Sequence, residues 1–376
     1  MKLFLACTSL YPAYGGPAYS VSRLATALTN AGVQVGLWAA DRSVVTTPLL
    51  SSDLPVQRLT GSVSEALDSF GSVDVVHDNG IWLLHNHRLA AAAADRGIPR
   101  VVSTRGMLEP WAMNHKRLKK RLAWSLYQRR DLTRARCHHA TAETEASNVR
   151  GLGLSVPVHV IPNGVDLPEV DQKTESLSGR TVKGKKKTAL FLARIHPKKG
   201  LPMLVEAWAR VRPNGWNLQI AGPDESGHQA QVQRVVCAAG LDDVISFLGP
   251  LDEEAKRSAF LEANLFVLPT HSESFGMVIA EALAHGLPVL TTTGAPWPML
   301  PERDCGWWVD PTVAGIAAGL HQATSVDPQA LHVMGIKGRE FVASEFGWLH
   351  IANQFVSIYE GLIVSNQQSS SRFSHK

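Results

Sequence analysis

The chain reads as an α/β protein with two doubly wound parallel-sheet domains in series, and three observations predict this. Apolar runs of strand length alternate with helix-length amphipathic runs over 2–104 and again over 188–284, the pattern of parallel strands joined by helical crossovers. A polar break at 169–187, carrying a KGKKK run and no apolar periodicity, separates the two series. A length of 376 residues, 45% of them hydrophobic, is enough for two separate cores.

The elements follow in order. Residues 2–9 form a buried strand, Gly15, Gly16 and Pro17 a tight turn, 18–29 a helix stopped near Gly32, and 33–39 the next strand. A second such unit has strands at 73–77 and 100–104, with a helix through the alanines at 90–94 between them. Beyond the polar break, strands at 188–193, 216–221, 244–248 and 264–269 alternate with helices at 201–211, 229–239 and 252–263. Closing helices are expected at 329–345, with Pro328 at the start, where a missing N–H costs nothing, and at 348–363. The layout is a first domain at 1–168, a linker at 169–187, a second domain at 188–347, a last helix at 348–364 and a disordered, Ser- and Gln-rich tail at 365–376. Ligands of such sheets bind outside the carboxyl ends of the strands, which for two facing sheets is the cleft between them.

The most informative segment is HSESFGMVIAE at 271–281, a loop between the strand at 264–269 and a helix at 276–284. Glu273 lies beside the helix N-terminus and Glu281 within the helix. Free N–H groups at a helix start suit a phosphate, while carboxylates, which only accept hydrogen bonds, suit sugar hydroxyls. A nucleoside-diphosphate sugar contains both.

This glutamate pair, the SFG insert at 274–276 and the AHGLPVL segment at 284–290 resemble the donor-site signature of the retaining glycosyltransferases of family four. The resemblance implies the GT-B fold: two Rossmann-like domains, the first on the acceptor side and the second holding the nucleotide sugar, with the last helix crossing back to the first. It also implies donor contacts at Ser274, Phe275, Gly276 and Met277, ribose hydroxyls on Glu281 and a sugar oriented by Glu273. ARIHPKKG at 193–200 matches the family's Arg and Lys that hold the donor diphosphate, so Arg194 and Lys199 take those roles, with Lys198 as the neighbouring alternative. Two fixed cations there stabilise the departing diphosphate in place of a metal. Gly15 and Gly16 match the glycine loop of the first domain, where a missing side chain lets backbone approach the donor. A plain turn is the alternative reading. The turn at 247–251, with Pro250, resembles the family's base-contacting turn, and an ordinary strand-end turn fits it equally well.

The match is less complete in the first domain. Arg105 stands where many relatives have a His, and HDNG at 77–80 is the other strand end of that region. Either could meet the acceptor, and Asp78 could help deprotonate its hydroxyl, while ordinary strand-end polar residues fit nearly as well. The IPNGVD segment at 161–166 is read as a hinge-side turn.

Net charge is +4, too weak to argue for nucleic acid. Its cations concentrate in 114–136, where Lys116, Arg117, Lys119, Lys120, Arg121, Arg129, Arg130, Arg134 and Arg136 interleave with Leu118, Leu122, Trp124, Leu126 and Tyr127. Such a helix suits an anionic membrane surface, although its apolar members could instead be core contacts. Four dispersed cysteines indicate neither a disulfide framework nor a zinc ribbon. His85, His87, Cys137, His138 and His139 lack a third ligand at a recognised spacing, so no metal is assigned. No run reaches the ~20 apolar residues of a membrane span, and a cytoplasmic enzyme on the inner face of the cell membrane is expected. The expected activity moves a sugar from a nucleotide donor to a hydroxyl of a glycan or lipid-linked glycan in bacterial polysaccharide or lipopolysaccharide assembly, with retention and without a cofactor or metal. Two other readings stand: a catalytically silent partner of an active transferase, and a sugar-nucleotide epimerase.

Overall fold

The computed structural model describes residues 1–109, 112, 113, 117–168, 186–273 and 275–373. Nearly all of the 169–187 linker, together with Ser274 and residues 114–116, therefore lies outside the described residues. The chain divides into two compact units, one formed by Met1–Gly164 with Trp348–Lys376 and the other by Val165–Gly347.

The first unit carries β1 (Lys2–Cys7), α1 (Gly16–Asn30), β2 (Gln34–Ala39), β3 (Gln57–Leu59), α2 (Val63–Phe70), β4 (Val75–Asn79), α3 (Leu84–Asp95) and β5 (Arg100–Ser103). Next come α4 (Arg117–Ala123), a π-helical turn (Trp124–Gln128), α5 (Arg129–Thr133), β6 (Cys137–Ala140), α6 (Glu143–Arg150) and β7 (Val158–Val160). All seven strands are parallel, in the order β3-β2-β1-β4-β5-β6-β7. Strand order reverses between β1 and β4, the place where open α/β sheets take ligands at their carboxyl ends.

The second unit carries β8 (Lys187–Leu192), α7 (Leu201–Val211), β9 (Trp216–Ala221), α8 (His228–Ala238), β10 (Ile245–Gly249), α9 (Glu253–Glu262) and β11 (Leu265–Leu268). It continues with α10 (Met277–Ala284), β12 (Val289–Thr292), α11 (Met299–Glu302), β13 (Gly306–Val309), α12 (Val313–Ser325) and α13 (Pro328–Phe346). Its six parallel strands run β10-β9-β8-β11-β12-β13, reversing between β8 and β11.

These strands form because their residues are apolar on both faces, as a sheet covered on both sides requires: Leu3 to Cys7 and Leu265 to Leu268 are wholly buried. α1 shows a period of three to four, burying Ala18, Val21, Leu24, Ala25 and Leu28 on one face. It is opened by Gly15 at φ 83° and by Pro17 in its first turn. Gly200 caps α7 at φ 70°, and a Cβ there would run into the carbonyl of Pro269, so only glycine lets the β8 and β11 loops meet.

The last helix, α14 (Trp348–Phe373), belongs to the first unit. Ile351, Ala352, Phe355 and Tyr359 lie in the core formed by β1, β2 and α1. Residues 365–373, expected as disordered tail, are helical. No Pro or Gly interrupts the chain after Gly361, and extending an existing helix costs far less than starting one. The Ser365 hydroxyl donates to the Gly361 carbonyl and the Asn366 amide to that of Gly97.

Candidate functional site

In the second unit, the loops leaving β8 and β11 lie side by side at the point where strand order reverses. They are stitched together by backbone: His271 N–H donates to the Lys198 carbonyl at 2.8 Å, as does the Thr270 hydroxyl at 3.1 Å. Glu273 N–H donates to the carbonyl of Gly294, in the loop after β12, at 2.8 Å. Beneath this surface Phe275, Trp297 and Phe346 pack as an aromatic cluster, and Trp297 Nε1 donates to the Phe275 carbonyl at 2.6 Å. That bond fixes the backbone ahead of Gly276, whose φ of 84° turns the chain into α10. The first-turn N–H groups of α10 thus open beside Glu273.

Charged side chains gather on this platform in pairs. Lys199 Nζ is bonded to Glu273 Oε1, with both side chains only 13–14% exposed. Lys256, on α9, donates to Glu281 Oε1 at 2.9 Å, joining α9 to α10. Arg194 is 65% exposed and paired with Glu225 at 2.6 Å. Lys199 and Glu273 therefore come together across the β8 and β11 ends, and Met277 opens α10 and packs against the core of this unit. Arg194 lies on the same β8 loop but turns outward to Glu225. Pro250 is exposed after the edge strand β10, two strands from β8.

In the first unit, Gly15 and Gly16 follow β1 at the carboxyl edge, with open space where each Cβ would stand. Arg105 follows β5 on the same edge and donates to the side-chain oxygens of Asn79, at the end of β4, and Asn163, beyond β7.

Asp78 does not join this edge. Residues along a strand alternate between faces, so Asp78 points with Val76 away from His77 and Asn79. It is 1% exposed, and its two oxygens accept from Asn86 Nδ2 at 2.8 Å and Arg100 Nη1 at 3.3 Å. Burial pushes its pKa up to about 6, against the opposing pull of Arg100. An enclosed carboxylate already engaged on both oxygens is a structural partner of Arg100, which corrects the expectation that it serves as a base.

Two family models match the chain in succession, "Glycosyl transferase 4-like domain" over residues 15–164 and "Glycosyl transferases group 1" over 172–341. The chain belongs to the group 1 glycosyltransferases. Among relatives, it is 24% identical over 303 residues to the GDP-mannose:cellobiosyl-diphosphopolyprenol alpha-mannosyltransferase of Xanthomonas campestris, covering 79% of this chain and 76% of that one. It is 30% identical over 215 residues to the D-inositol 3-phosphate glycosyltransferase of Arthrobacter sp. (strain FB24), covering 55% of this chain and 50% of that one. The sucrose-phosphate synthase of Thermosynechococcus elongatus superposes with a TM-score of 0.75 at 20% identity, covering 97% of this chain and all of that one. Anabaena HepE in complex with UDP and glucose superposes with a TM-score of 0.71 at 18% identity, covering 96% and 100%. The fold is GT-B.

For this glycosyltransferase, sequence reasoning did not anticipate Lys256. It lies 25 positions from Glu281 on a different helix, and nothing in the local pattern of α9 distinguishes it from its other charged residues. Asn163, in the turn at 161–166, also pairs with Arg105, a contact over 58 positions that no local pattern announces. Among the described residues, no three His, Cys, Asp or Glu side chains are grouped so as to hold a metal ion.

The basic stretch is split in two by its π turn. Leu118, Leu122 and Leu126 are 80%, 62% and 69% exposed. Trp124 and Tyr127 instead turn inward, Trp124 against Trp82 at 6.2 Å and the Tyr127 hydroxyl donating to the Trp82 carbonyl at 2.6 Å. Trp124 and Tyr127 are thus core contacts, as the second reading of the apolar residues had it, while the three leucines stay exposed. No helix among the described residues is long and apolar enough to cross a membrane.

Proposed function

We propose that this group 1 glycosyltransferase moves a sugar, with retention of anomeric configuration and without a divalent metal, from a nucleoside-diphosphate sugar to a hydroxyl of a glycan or lipid-linked glycan in bacterial surface polysaccharide or lipopolysaccharide assembly. The observation that carries the reading is the Lys199–Glu273 pair set at the strand reversal beside the α10 N-terminus. An incoming diphosphate would take Lys199 and the α10 amides as donors, with Arg194 swinging from its exposed partner Glu225. Glu273, released from Lys199, would accept from the sugar hydroxyls, and Glu281, held by Lys256, from the ribose. As the glycosidic bond breaks, the cations and amides meet the charge growing on the leaving diphosphate. That diphosphate, on the face from which the acceptor enters, would accept the hydroxyl proton.

A lipid-linked acceptor agrees with the Xanthomonas relative, a GDP-mannose:cellobiosyl-diphosphopolyprenol alpha-mannosyltransferase. It also fits α4 and the π turn after it, where Leu118, Leu122 and Leu126 stand outward near the exposed Arg117, Lys119 and Arg121. Such a face would rest on anionic lipid.

Incubation with a panel of nucleotide sugars, with and without chelator, tests the proposal through release of nucleoside diphosphate and the anomeric configuration of the product. Release that survives chelator, with donor and product anomers alike, is expected. Inversion, or activity that chelator abolishes and manganese or magnesium restores, would contradict it.

A further inference from the structure

The Arg105 guanidinium is held in an unusual way. Its turn is closed by Met107 N–H donating to the Thr104 carbonyl at 3.0 Å, with Arg105 at φ 52° and Gly106 at φ 72°. Two successive left-handed residues form a turn whose first position ordinarily takes Asn, Asp or Gly. An arginine there is strained, because its Cβ crowds the following carbonyl, and strain of this kind collects where a side chain must be aimed.

The side chain is half-buried, and each of its partners among the described residues is neutral. Nε and Nη2 donate to Asn79 Oδ1 at 3.2 and 2.6 Å, and Nη1 donates to Asn163 Oδ1 at 2.8 Å. Asn79 is itself oriented, because its amide nitrogen donates to the Ala6 carbonyl at 3.2 Å. Three of the five guanidinium N–H groups are thereby used. One on each terminal nitrogen has no partner among the described residues. The nearby Glu145 does not form an ion pair with Arg105. Its oxygens already accept from the Thr104 hydroxyl, Gly106 N–H, Thr141 N–H and the Thr141 hydroxyl at 2.6–2.9 Å.

Arg100 in the same sheet shows the usual arrangement, a buried guanidinium placed against the carboxylate of Asp78. A cation withdrawn from water normally acquires such a counter-charge. Arg105 is instead braced by two amide oxygens, which aim it and leave its charge uncancelled by contact. The planar guanidinium, with donors on both terminal nitrogens, matches phosphate oxygens.

We propose that Arg105 is a binding residue for an anionic phosphate group on the acceptor, so that the molecule offering the hydroxyl is a phosphate or diphosphate ester. This rests on the glycosyltransferase reading and narrows its acceptor class. Asn79 and Asn163 are positioning residues, and the shared ligand chemistry is the phosphate oxyanion.

Calorimetric titration of the full chain with inorganic phosphate and with inorganic pyrophosphate tests the proposal. The Lys199→Gln variant is the parent protein, so that the proposed donor site does not dominate the signal. The parent is expected to bind pyrophosphate, and adding Arg105→Gln should weaken that binding about ten- to a hundredfold. Tighter binding of pyrophosphate than of phosphate assigns a diphosphate ester, and equal binding a monoester. No binding of either anion by the parent, or equal affinity after Arg105→Gln, overturns the proposal. Should Arg105→Gln not fold, Arg105→Lys keeps the charge without the planar fork. It should weaken pyrophosphate severalfold, and unchanged affinity overturns the proposal. Titrating the wild type with nucleoside diphosphates checks the donor reading separately, so the two can fail independently.

Discussion

Asp78 and Arg105 stand on adjacent strand ends and have opposite surroundings, which leads to opposite expectations. Asp78 is enclosed with Arg100 and Asn86, so Asp78→Asn should act on stability. Removing one partner of a buried ion pair strands the other charge and costs about 3–5 kcal/mol, readable as a drop in the denaturant midpoint. A variant of unchanged stability that had lost transfer would instead restore Asp78 as a base. The sequence could not separate these outcomes, because HDNG at 77–80 does not reveal which strand face each residue occupies. The Glu273 and Glu281 spacing was legible, since one loop and one helix carry both. Their partners Lys199 and Lys256 are brought to them by tertiary structure over 74 and 25 positions.

The element that ties the first unit together is α14, through a buried chain of hydrogen bonds. His139 Nε2 must donate to the Ile161 carbonyl at 2.7 Å, leaving Nδ1 of the neutral ring to accept from the Ser103 hydroxyl at 2.6 Å. Ser103 then accepts from His77 Nε2 at 2.6 Å, and His77 Nδ1 accepts from the Tyr359 hydroxyl on α14 at 2.6 Å. Both rings must stay neutral for this direction to hold. Burial, aided by neighbouring positive charge, keeps His77 well below the ordinary 6.5 and His139 at about 4. Burial also holds His138 at about 4. An imidazole whose pKa is depressed in the fold takes its proton mainly on unfolding. Its contribution to stability is therefore complete above pH 6.5 and is lost as pH falls from there towards 4. Each such ring removes up to about 1.4 kcal/mol per pH unit in that window. Asp78, raised to about 6, acts in the opposite sense between 3.8 and 6. Three rings outweigh one carboxyl, so the melting temperature should fall on acidification from pH 6.5 to 4, and a flat profile would count against neutral rings. The α14 helix itself was legible from its apolar period, but its length was not. A Ser- and Gln-rich end has the composition of a tail, yet extending a docked helix is cheap.

At the scale of the whole molecule, two doubly wound units were legible because strand and helix periods alternate twice around a polar break. The π turn was not, since it depends on Trp124, Tyr127 and Gln128 meeting the loop at Trp82. It leaves Leu118, Leu122 and Leu126 outward with Arg117, Lys119 and Arg121. The protein should sediment with anionic vesicles at low salt and less at high salt, each cation contributing ~1 kcal/mol near the surface. Changing Arg117, Lys119 and Arg121 to Ser should abolish sedimentation, and a variant that still sediments would make this an ordinary solvated helix. The central claim is that the paired ions at the second unit's strand reversal hold the donor, and calorimetric titration of wild type and Glu281→Ala with a panel of nucleoside diphosphates tests it most directly. One base should bind, and the variant should bind it about ten- to a hundredfold more weakly, as loss of hydrogen bonds from a charged group implies. Equal affinity in the two proteins, or no binding by the wild type, would contradict the account.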